Sequence, residues 1–399
     1  MKAENKAPLQ GGGSFLPAAG LQNTVFIIDT ISTAFAVAIM AKGRAIHCIY
    51  ECKEITWRKA DYVALFDFIL SDVTFLSKEV ISVPHPYLSP SKTLLGRIMR
   101  QMKFARSVRK RHALDPNRTY VSSIVSSLLI ANKRHVKSIL IDEGMGSVVA
   151  RNRIAFRGNR FSERLKIAIG DRVLSFQFPN STPQITLTND AHPSVVKNLD
   201  YRDFDSNAFE SSLGRLGALM KSRKHNVLVL LKGPSSGVAG HPDEADQYGD
   251  AYVEFNLRAI LAYLDQLLRD VSPALFLKSH PSLGSSSGKL TELIDALEGK
   301  GVVAYDALNY IDFAEASSLP AEGLLRYLHF EYILALDASS LLWNVAYRGD
   351  VKCFMPLKHI VEFSEVEGGI HTELYRLQDR INQLMGGHVH FFDVGSSLV

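Results

Sequence analysis

Short runs of β-branched and aliphatic residues alternate along the chain with stretches that have the spacing of amphipathic helices. The runs in the first half are TVFIID, RAIHCIYE, DFILSDV, EVISV and SILIDEG, and those in the second half are NVLVLL, ALFLKSH, GVVAYDA, YILALDASS and KCFMPL. Alternating strands and helices predict parallel sheets that are covered by helices on both faces. The alternation breaks near residues 200–225, where a polar segment is followed by a helical one.

We therefore expect an α/β fold in which two Rossmann-like domains face each other across a cleft. A flexible arm is expected over residues 1–22, a first domain over 23–218 and a second domain over 225–399. The second domain is expected to end in a helix over 371–386, because Gly386 and Gly387 provide a typical helix C-cap.

Composition supports a globular chain with two cores. The 399 residues are 46% hydrophobic and 22% charged, which is usual for folded domains of this size. A net charge of +4 is too small to indicate a class of partner. Three cysteines, Cys48, Cys52 and Cys353, do not form a disulfide framework or a zinc motif, so we expect them to be reduced in a cytoplasmic protein.

The longest apolar run, TVFIIDTISTAFAVAIMA, is interrupted by polar residues that include Asp29 and Thr30. It is only marginally long enough to cross a bilayer. A strand over Thr24–Ile28, a polar turn and a helix over Thr33–Lys42 explain this run better. No apolar block precedes residue 24, so a signal peptide is not expected.

Polar clusters follow three of the apolar runs directly, where parallel sheets present ligands at the carboxyl ends of their strands. The first cluster is Asp142, Glu143 and Gly144, in which two adjacent carboxylates can raise the pKa of one of them and make it a general base. A surface turn rich in acidic residues is the alternative.

The second cluster is KSHP, residues 278–281, in which Pro281 fixes the backbone after His280. The third is the pair Ser339 and Ser340, at the start of a predicted helix, where hydroxyls and free N–H groups can bind a phosphate. A loop histidine without function and ordinary serine N-capping are the alternatives for these two clusters.

The order of these clusters resembles the bacterial sialyltransferases, including the capsular polysialyltransferases, which share a D/E-D/E-G, a His-Pro and a Ser-Ser motif. The matching segments here are DEG (142–144), HP (280–281) and SS (339–340), and LPAEGLL resembles the family's proline-x-glutamate segment. The resemblance covers the chain as an arrangement of motifs, without continuous similarity between them.

The resemblance implies a GT-B fold and inverting transfer of sialic acid from a CMP-activated donor, without a metal or another cofactor. It implies that Glu143, in the Asp142–Glu143 pair, deprotonates the acceptor hydroxyl. It also implies that His280 assists departure of the CMP phosphate, that Ser339 and Ser340 bind this phosphate, and that Glu322 holds the nucleotide ribose.

Three further residues are candidates on their own chemistry. Lys278 can stabilise the phosphate or the carboxylate of the sugar, although a solvent-facing lysine is the alternative. Gly233 and Ser235, in LLKGPSSG, follow the first strand of the second domain and can line the nucleotide pocket. A Gly/Ser/Pro loop without function is the alternative for that segment.

Basic residues cluster between Arg97 and Arg118, with Arg109 and Lys110 at the centre of the cluster. Apolar residues share part of this segment, so it is suited to a polyanionic glycan or to peripheral contact with an anionic membrane. The segment lacks the interleaved aromatic residues of a nucleic-acid platform, so no nucleic-acid partner is expected. A merely solvated helix face is the alternative.

The sequence therefore predicts a cytoplasmic transferase, peripheral at the inner membrane if the basic segment binds lipid. Its expected partners are a CMP-activated sugar donor and a glycan or glycolipid acceptor of the bacterial surface. Two other hypotheses remain: a transferase of polyol phosphate that uses a CDP- or CMP-activated donor, as in teichoic acid synthesis, and a non-catalytic protein that binds glycans or polyanions.

Overall fold

The structure is a computed structural model of the chain. It describes residues 22–54, 62–84, 94–141, 182–187, 193–232, 249–269, 271–279, 288–336, 345, 349, 351–366, 372–384 and 386–395.

The first half of the chain forms a sheet of seven parallel strands. These are β1 (Thr24–Ile28), β2 (Ala45–Glu54), β3 (Thr74–Pro84), β4 (Thr119–Ser123), β5 (Lys137–Ile141), β6 (Gln184–Thr186) and β7 (Val195–Asn198). The helices between them are α1 (Ile31–Met40), α2 (Tyr62–Ile69), α3 (Leu94–Arg111) and α4 (Ser127–Asn132). The spatial order is β3-β2-β1-β4-β5-β6-β7, in which the direction of winding reverses between β1 and β4. This reversal defines a doubly wound Rossmann-type sheet.

Burial of both faces explains why β1 is apolar throughout. Val25 and Ile27 pack into one core with residues of β4 and β5, whereas Phe26 and Ile28 pack into the core on the opposite face. Successive side chains of a strand point to opposite faces, so a strand covered on both sides shows a continuous apolar run.

The second half of the chain repeats this topology with six parallel strands. They are β8 (Asn226–Leu230), β9 (Ala274–Lys278), β10 (Val303–Asp306), β11 (Tyr332–Ala335), β12 (Lys352–Met355) and β13 (Val389–Phe391). The helices are α5 (Asn207–Ser212), α6 (Gly214–Lys221), α7 (Gly249–Leu267), α8 (Gly288–Glu298), α9 (Ala321–Tyr327), α10 (Leu357–Val366), α11 (Thr372–Arg376) and α12 (Gln378–Leu384). The order is β10-β9-β8-β11-β12-β13, with the reversal between β8 and β11.

The two sheets confirm the predicted α/β fold with two Rossmann-like units. The segment DFILSDV was wrongly predicted to be a strand, because residues 62–69 form α2. Leu65, Phe66 and Ile69 of that helix are buried, at the spacing of one helical face. The helix expected over 371–386 is divided into α11 and α12, on either side of Leu377.

None of the three cysteines, all of which lie within the described ranges, forms a disulfide, and both Cys48 and Cys353 are buried. Burial raises the pKa of the Cys353 thiol to about 12, so this side chain behaves as a small apolar residue. Within the described ranges, none of the helices combines the length and the apolar character needed to span a membrane.

The segment between the two sheets packs against α9 through aromatic side chains. The ring of Phe209 lies 5.3 Å from that of Phe204 and 6.1 Å from that of Tyr327, measured between centroids. The Tyr327 hydroxyl accepts a hydrogen bond from the backbone N–H of Ser206 at 2.7 Å. Helix α9 is therefore fixed to the segment that joins the two halves of the chain.

Residues of the first unit also contact the second unit and the joining segment directly. The rings of Phe68 in α2 and Phe313 stack with centroids 4.0 Å apart. The Asp72 carboxylate accepts a hydrogen bond from the backbone N–H of Asn207 at 2.6 Å. These contacts hold α2 and the residues just after it against Phe313 of the second unit and Asn207 of the joining segment.

Gly323 allows α9 to approach Phe209 closely, and this contact yields a prediction for stability. A Cβ atom at position 323 would lie 2.3 Å from Cζ of Phe209, which is too close without movement of the ring or the helix. We expect Gly323→Ala to lower the free energy of unfolding by about 1–3 kcal/mol, the usual cost of overpacking. Urea unfolding measures the change.

Gly217→Ala in α6 is the matched control. Its Cβ atom would lie 3.4 Å from the Leu328 side chain, an ordinary contact. The gain in helix propensity then leaves the free energy of unfolding unchanged or raised by up to about 1 kcal/mol. Equal destabilisation by both substitutions would contradict the assignment of a close contact at Gly323.

Candidate functional site

Polar residues gather at the carboxyl ends of the central strands of the second sheet. Lys278 is the last residue of β9, and it pairs with Leu230 at the end of β8. The backbone N–H of Leu336, just after β11, donates to the carbonyl oxygen of Leu230 at 2.9 Å. The ends of β8 and β11 border the point where the strand order reverses. In sheets of this type, ligands bind in the crevice outside that point.

Lys278 is a buried cation, only 6% exposed. Among the described residues, its Nζ atom forms no hydrogen bond or ion pair, and the opposite charge that acts on it is that of Glu322. Burial lowers the pKa of Lys278 to about 8, and the attraction to Glu322 partly opposes this shift. The lysine is therefore mostly protonated near neutral pH, at an energetic cost that a bound anion would remove.

Glu322 lies in the first turn of α9, after the N-cap residue Pro320. An acidic side chain is stabilised there by the positive end of the helix dipole. The crossover topology places this helix end near the carboxyl edge of the sheet, because a helix between two parallel strands runs in the opposite direction. Burial raises the pKa of the Glu322 carboxyl, and a hydrogen bond from its own backbone N–H and the charge of Lys278 oppose this shift.

The structure brings Lys278 and Glu322, both candidates from the sequence analysis, close enough for their charges to interact, and their roles stay predictions. A solvent-facing side chain was the alternative for Lys278, but the structure places this side chain in the interior. Eight other predicted site residues lie outside the described residues, and their roles stay predictions. They are Asp142, Glu143, Gly233, Ser235, His280, Pro281, Ser339 and Ser340.

The described strands nevertheless end close to each of these motifs. Strand β5 ends at Ile141, directly before the DEG motif, and β9 ends at Lys278, directly before Ser279 and the His-Pro motif. Strand β11 ends at Ala335, a few residues before the serine pair. In the sequence, each motif thus comes soon after the last residue of a described strand.

Lys232 is a buried polar residue that the sequence analysis did not select. It lies two residues beyond the end of β8 and is 1% exposed. Its Nζ atom donates to the Tyr375 hydroxyl of α11 at 3.1 Å and lies 4.9 Å from the centre of the same ring. Lys232 directly follows the apolar run NVLVLL, and this position after a predicted strand was the signal available in the sequence. The sequence analysis selected Gly233 and Ser235 of the same segment instead.

A second polar cluster lies at the carboxyl edge of the first sheet. Asp29, directly after β1, accepts hydrogen bonds from the hydroxyls of Ser123 at 2.6 Å and Thr33 at 3.2 Å. Ser123 ends β4 and pairs with Ile141 of β5. Asp29 follows β1, and β4 lies between β1 and β5, the strand that precedes the DEG motif in the sequence. The sequence analysis had treated Asp29 only as an interruption of an apolar run.

Glu51 is also buried in the first unit, with a structural role that its contacts define. Its carboxylate accepts hydrogen bonds from the Ser126 hydroxyl at 2.6 Å and from the backbone N–H groups of Ser127 at 2.7 Å and Leu128 at 3.1 Å. These are the free N–H groups at the start of α4, so Glu51 ties β2 to that helix.

The basic residues Arg109 and Lys110 lie on the exposed side of α3, in its last turn. Arg109 Nη1 is 2.6 Å from His135 Nε2. Met99 and Met102 on the same helix are about half exposed, at 53% and 51%. This side of α3 is therefore a cationic surface with apolar residues at one end.

Within the described part of the chain, no group of three or more His, Cys, Asp or Glu side chains is arranged to hold a metal ion. The expectation that the protein works without a metal stays a prediction.

The lowered pKa of Lys278 predicts how stability changes with pH. The folded protein loses this proton near pH 8, whereas an unfolded lysine loses it near pH 10.5. Unfolding in that window takes up a proton, so the wild-type free energy of unfolding rises with pH, by at most about 1.4 kcal/mol per pH unit. The double variant Lys278→Met/Glu322→Gln lacks this contribution, and urea unfolding across the window measures the difference.

Lys352→Met is the control, because Lys352 is exposed at the opposite end of β12. Its stability should follow the wild-type pH dependence in parallel. If the double variant also follows the wild type in parallel, Lys278 does not have a lowered pKa.

Two solved structures align with most of this chain, whereas the sequence comparisons find no match. No protein-family model matches the sequence, and no curated protein matches it. Among solved structures, LpCGTa in complex with UDP aligns with 91% of this chain and 90% of its own, at 12% identity and a TM-score of 0.44. MurG of Acinetobacter baumannii aligns with 91% of both chains, at 13% identity and a TM-score of 0.32. At such scores neither likeness adds to what the topology of the two sheets shows.

Proposed function

We propose that the protein is an inverting glycosyltransferase that moves sialic acid, or a related nonulosonic acid, from a CMP-activated donor to a bacterial surface glycan. The observation that carries the proposal is the buried Lys278 at the end of β9, next to the switch-point strand β8, with the half-buried carboxylate of Glu322 in α9 as its opposite charge. The pair lies beside the strand ends that precede the His-Pro and Ser-Ser motifs, which resemble those of bacterial sialyltransferases.

The chemistry of the donor fits this set of residues. Transfer forms a bond between the acceptor oxygen and the anomeric carbon and breaks the bond from that carbon to the phosphate oxygen. The phosphate keeps the bonding electrons and gains a negative charge, which the Lys278 ammonium and His280 would stabilise. Glu143 would take the proton of the acceptor hydroxyl, as a general base does. Glu322 would accept hydrogen bonds from the ribose hydroxyls.

Inversion follows from attack on the face opposite the leaving phosphate, which requires the acceptor and the donor on opposite sides of one cleft. The motif assigned to the base follows β5 of the first sheet, whereas the motifs assigned to the phosphate follow β9 and β11 of the second. Such a division between two units supports a single-displacement mechanism.

A nucleotide screen tests the proposal with the whole chain. We expect CMP to raise the unfolding temperature more than UDP, CDP or GDP at equal concentration, because a ligand that binds only the folded state stabilises it. Incubation with CMP-sialic acid and a glycan acceptor should then yield a sialylated product. A product that contains polyol phosphate would instead support the transferase of teichoic acid type.

Two substitutions separate the roles of the catalytic candidates. His280→Ala should reduce transfer by about 100-fold or more while the unfolding temperature stays unchanged, because general acid catalysis contributes about 10²–10⁴-fold. Glu143→Gln should slow transfer to a similar degree with little change in CMP affinity. Unchanged turnover of His280→Ala, or equal losses of turnover and affinity in Glu143→Gln, would contradict these roles.

The cationic side of α3 predicts how the enzyme meets its acceptor. Arg109→Glu/Lys110→Glu should raise the KM for an anionic glycan acceptor several-fold and leave the KM for a neutral acceptor unchanged, since only the former gains from the positive charges. Steady-state kinetics at low ionic strength measures both constants.

Arg223→Glu/Lys224→Glu, an equal charge change on exposed residues of the other half of the chain, is the control. An increase in KM with both double variants would indicate an effect of net charge alone. No increase with either would exclude a role of this helix in binding the acceptor.

A further inference from the structure

Lys232 is a second buried cation at the edge of the sheet that carries Lys278. Its side chain is almost fully enclosed, at 1% exposure. Its backbone N–H donates to Oδ1 of Asn256 in α7 at 3.3 Å, and Asn256 is in turn held by a hydrogen bond from Nδ2 to the Tyr252 carbonyl at 2.8 Å. The residue is therefore firmly positioned by the helix that follows β8.

The ammonium group of Lys232 has polar but uncharged contacts. Its Nζ atom donates to the Tyr375 hydroxyl and lies above the ring of that residue. Among the described residues, no carboxylate lies within ion-pair distance of it. An ammonium has three donors, and a buried charge without a counter-ion is costly. Such a lysine is well suited to an anion that arrives from outside the chain.

The two lysines belong to one region of the sheet. The backbone N–H of Leu231 donates to the carbonyl oxygen of Lys278 at 3.0 Å, so β8 and β9 stay paired up to these residues. Lys232 is two residues beyond the partner of Lys278, which puts their Cα atoms about 8 Å apart by strand geometry. Side chains of this length can reach a common phosphate from that separation.

Ser279 adds a hydrogen-bonding group to the same edge. It follows Lys278 directly and is 2% exposed, and its Oγ atom has no hydrogen-bond partner in the part of the chain that the structure describes. A buried hydroxyl is normally paired, so an unpaired one next to two cations indicates a position where a ligand supplies the partner.

The two lysines of this edge differ in their opposite charges. Lys278 has the carboxylate of Glu322 acting on it. Asp306, at the end of the neighbouring β10, uses its carboxylate to accept from the backbone N–H of Leu308 at 2.9 Å. Lys232 has the Tyr375 hydroxyl and ring but no carboxylate among the described residues, so a phosphate would supply the counter-ion that it lacks.

We propose that Lys232, together with Lys278 and Ser279, binds the phosphate group of the nucleotide, and that Lys232 stabilises the second negative charge that the phosphate gains when its bond to the sugar breaks. Tyr375 holds the ammonium in place through its hydroxyl and ring. This inference rests on the proposed transfer from a nucleotide-activated donor and assigns Lys232 to the departing phosphate.

The proposal predicts that substitution of Lys232 weakens binding of CMP but not of cytidine, which lacks the phosphate. Lys232→Met should weaken CMP binding at least 10-fold and leave the weaker binding of cytidine unchanged. Because the second charge develops during the reaction, the same substitution should lower kcat more than it raises the KM for the donor. Lys352→Met, which removes one exposed charge from the amino end of β12, should change neither affinity. Isothermal titration with CMP and cytidine measures these affinities.

Two other outcomes would overturn the proposal, and a third would separate the anion site from the proposed function. If folded Lys232→Met binds CMP as tightly as the wild type, the proposal is wrong. Equal losses of CMP and cytidine binding would show a structural role and would also overturn it. If the wild type binds pyrophosphate through Lys232 but does not bind CMP, the anion site stands and the proposed CMP-dependent transfer fails.

A measurement on the wild type covers the case in which Lys232→Met does not fold. Reductive methylation of lysines, followed by mass spectrometry, should label Lys232 and Lys278 more slowly in the presence of CMP, whereas labelling of Lys352 should not change. Equal labelling rates of Lys232 with and without CMP would overturn the proposal.

Discussion

The structure depends on the burial of parallel strands on both faces. A strand such as β1 or β8, covered by helices on each side, is mostly apolar along its length. Many of the buried polar residues therefore lie at or just beyond the carboxyl ends of strands, although Glu51 is buried within β2. In the second sheet these residues are Lys232, Lys278 and Ser279, and in the first sheet they include Asp29 and Ser123.

Buried charges are stabilised differently at the carboxyl edges of the two sheets. Asp29 receives hydrogen bonds from hydroxyl groups on two elements, and Glu51 receives them from the start of a helix, so both carboxylates are satisfied within the protein. Lys278 has the charge of Glu322 acting on it, and Lys232 has a tyrosine. Lys232, at the second edge, has no counter-ion among the described residues. That uncompensated charge costs stability, which a bound anion would return.

Much of the fold follows from the sequence because strand burial leaves a strong local signal. Most of the apolar runs correspond to strands, and Lys278 could be proposed because it ends such a run. The run DFILSDV failed because its apolar spacing fits a helix face as well as a strand, and only packing against neighbours decides between them. Short strands such as β6 carry too few residues for a pattern.

The site was less accessible to sequence reasoning because its contacts join distant positions. Glu322 was proposed only through the resemblance of its segment to a family motif, since a lone glutamate in a helix is usually exposed. Lys232 meets Tyr375 across 143 positions of sequence. No local pattern encodes such a pair, and the adjacent glycine and serine residues gave a more familiar signal.

Gly323 has a consequence for movement as well as for stability. It sits next to Glu322 and lets α9 rest directly on Phe209, in the segment that joins the two halves of the chain. A rotation of one half relative to the other must therefore either carry α9 along or break this contact. The angle between the halves and the position of the Glu322 carboxylate are thus mechanically coupled. A ligand that engages Glu322 would favour one angle between the halves, and that angle would in turn favour the bound ligand.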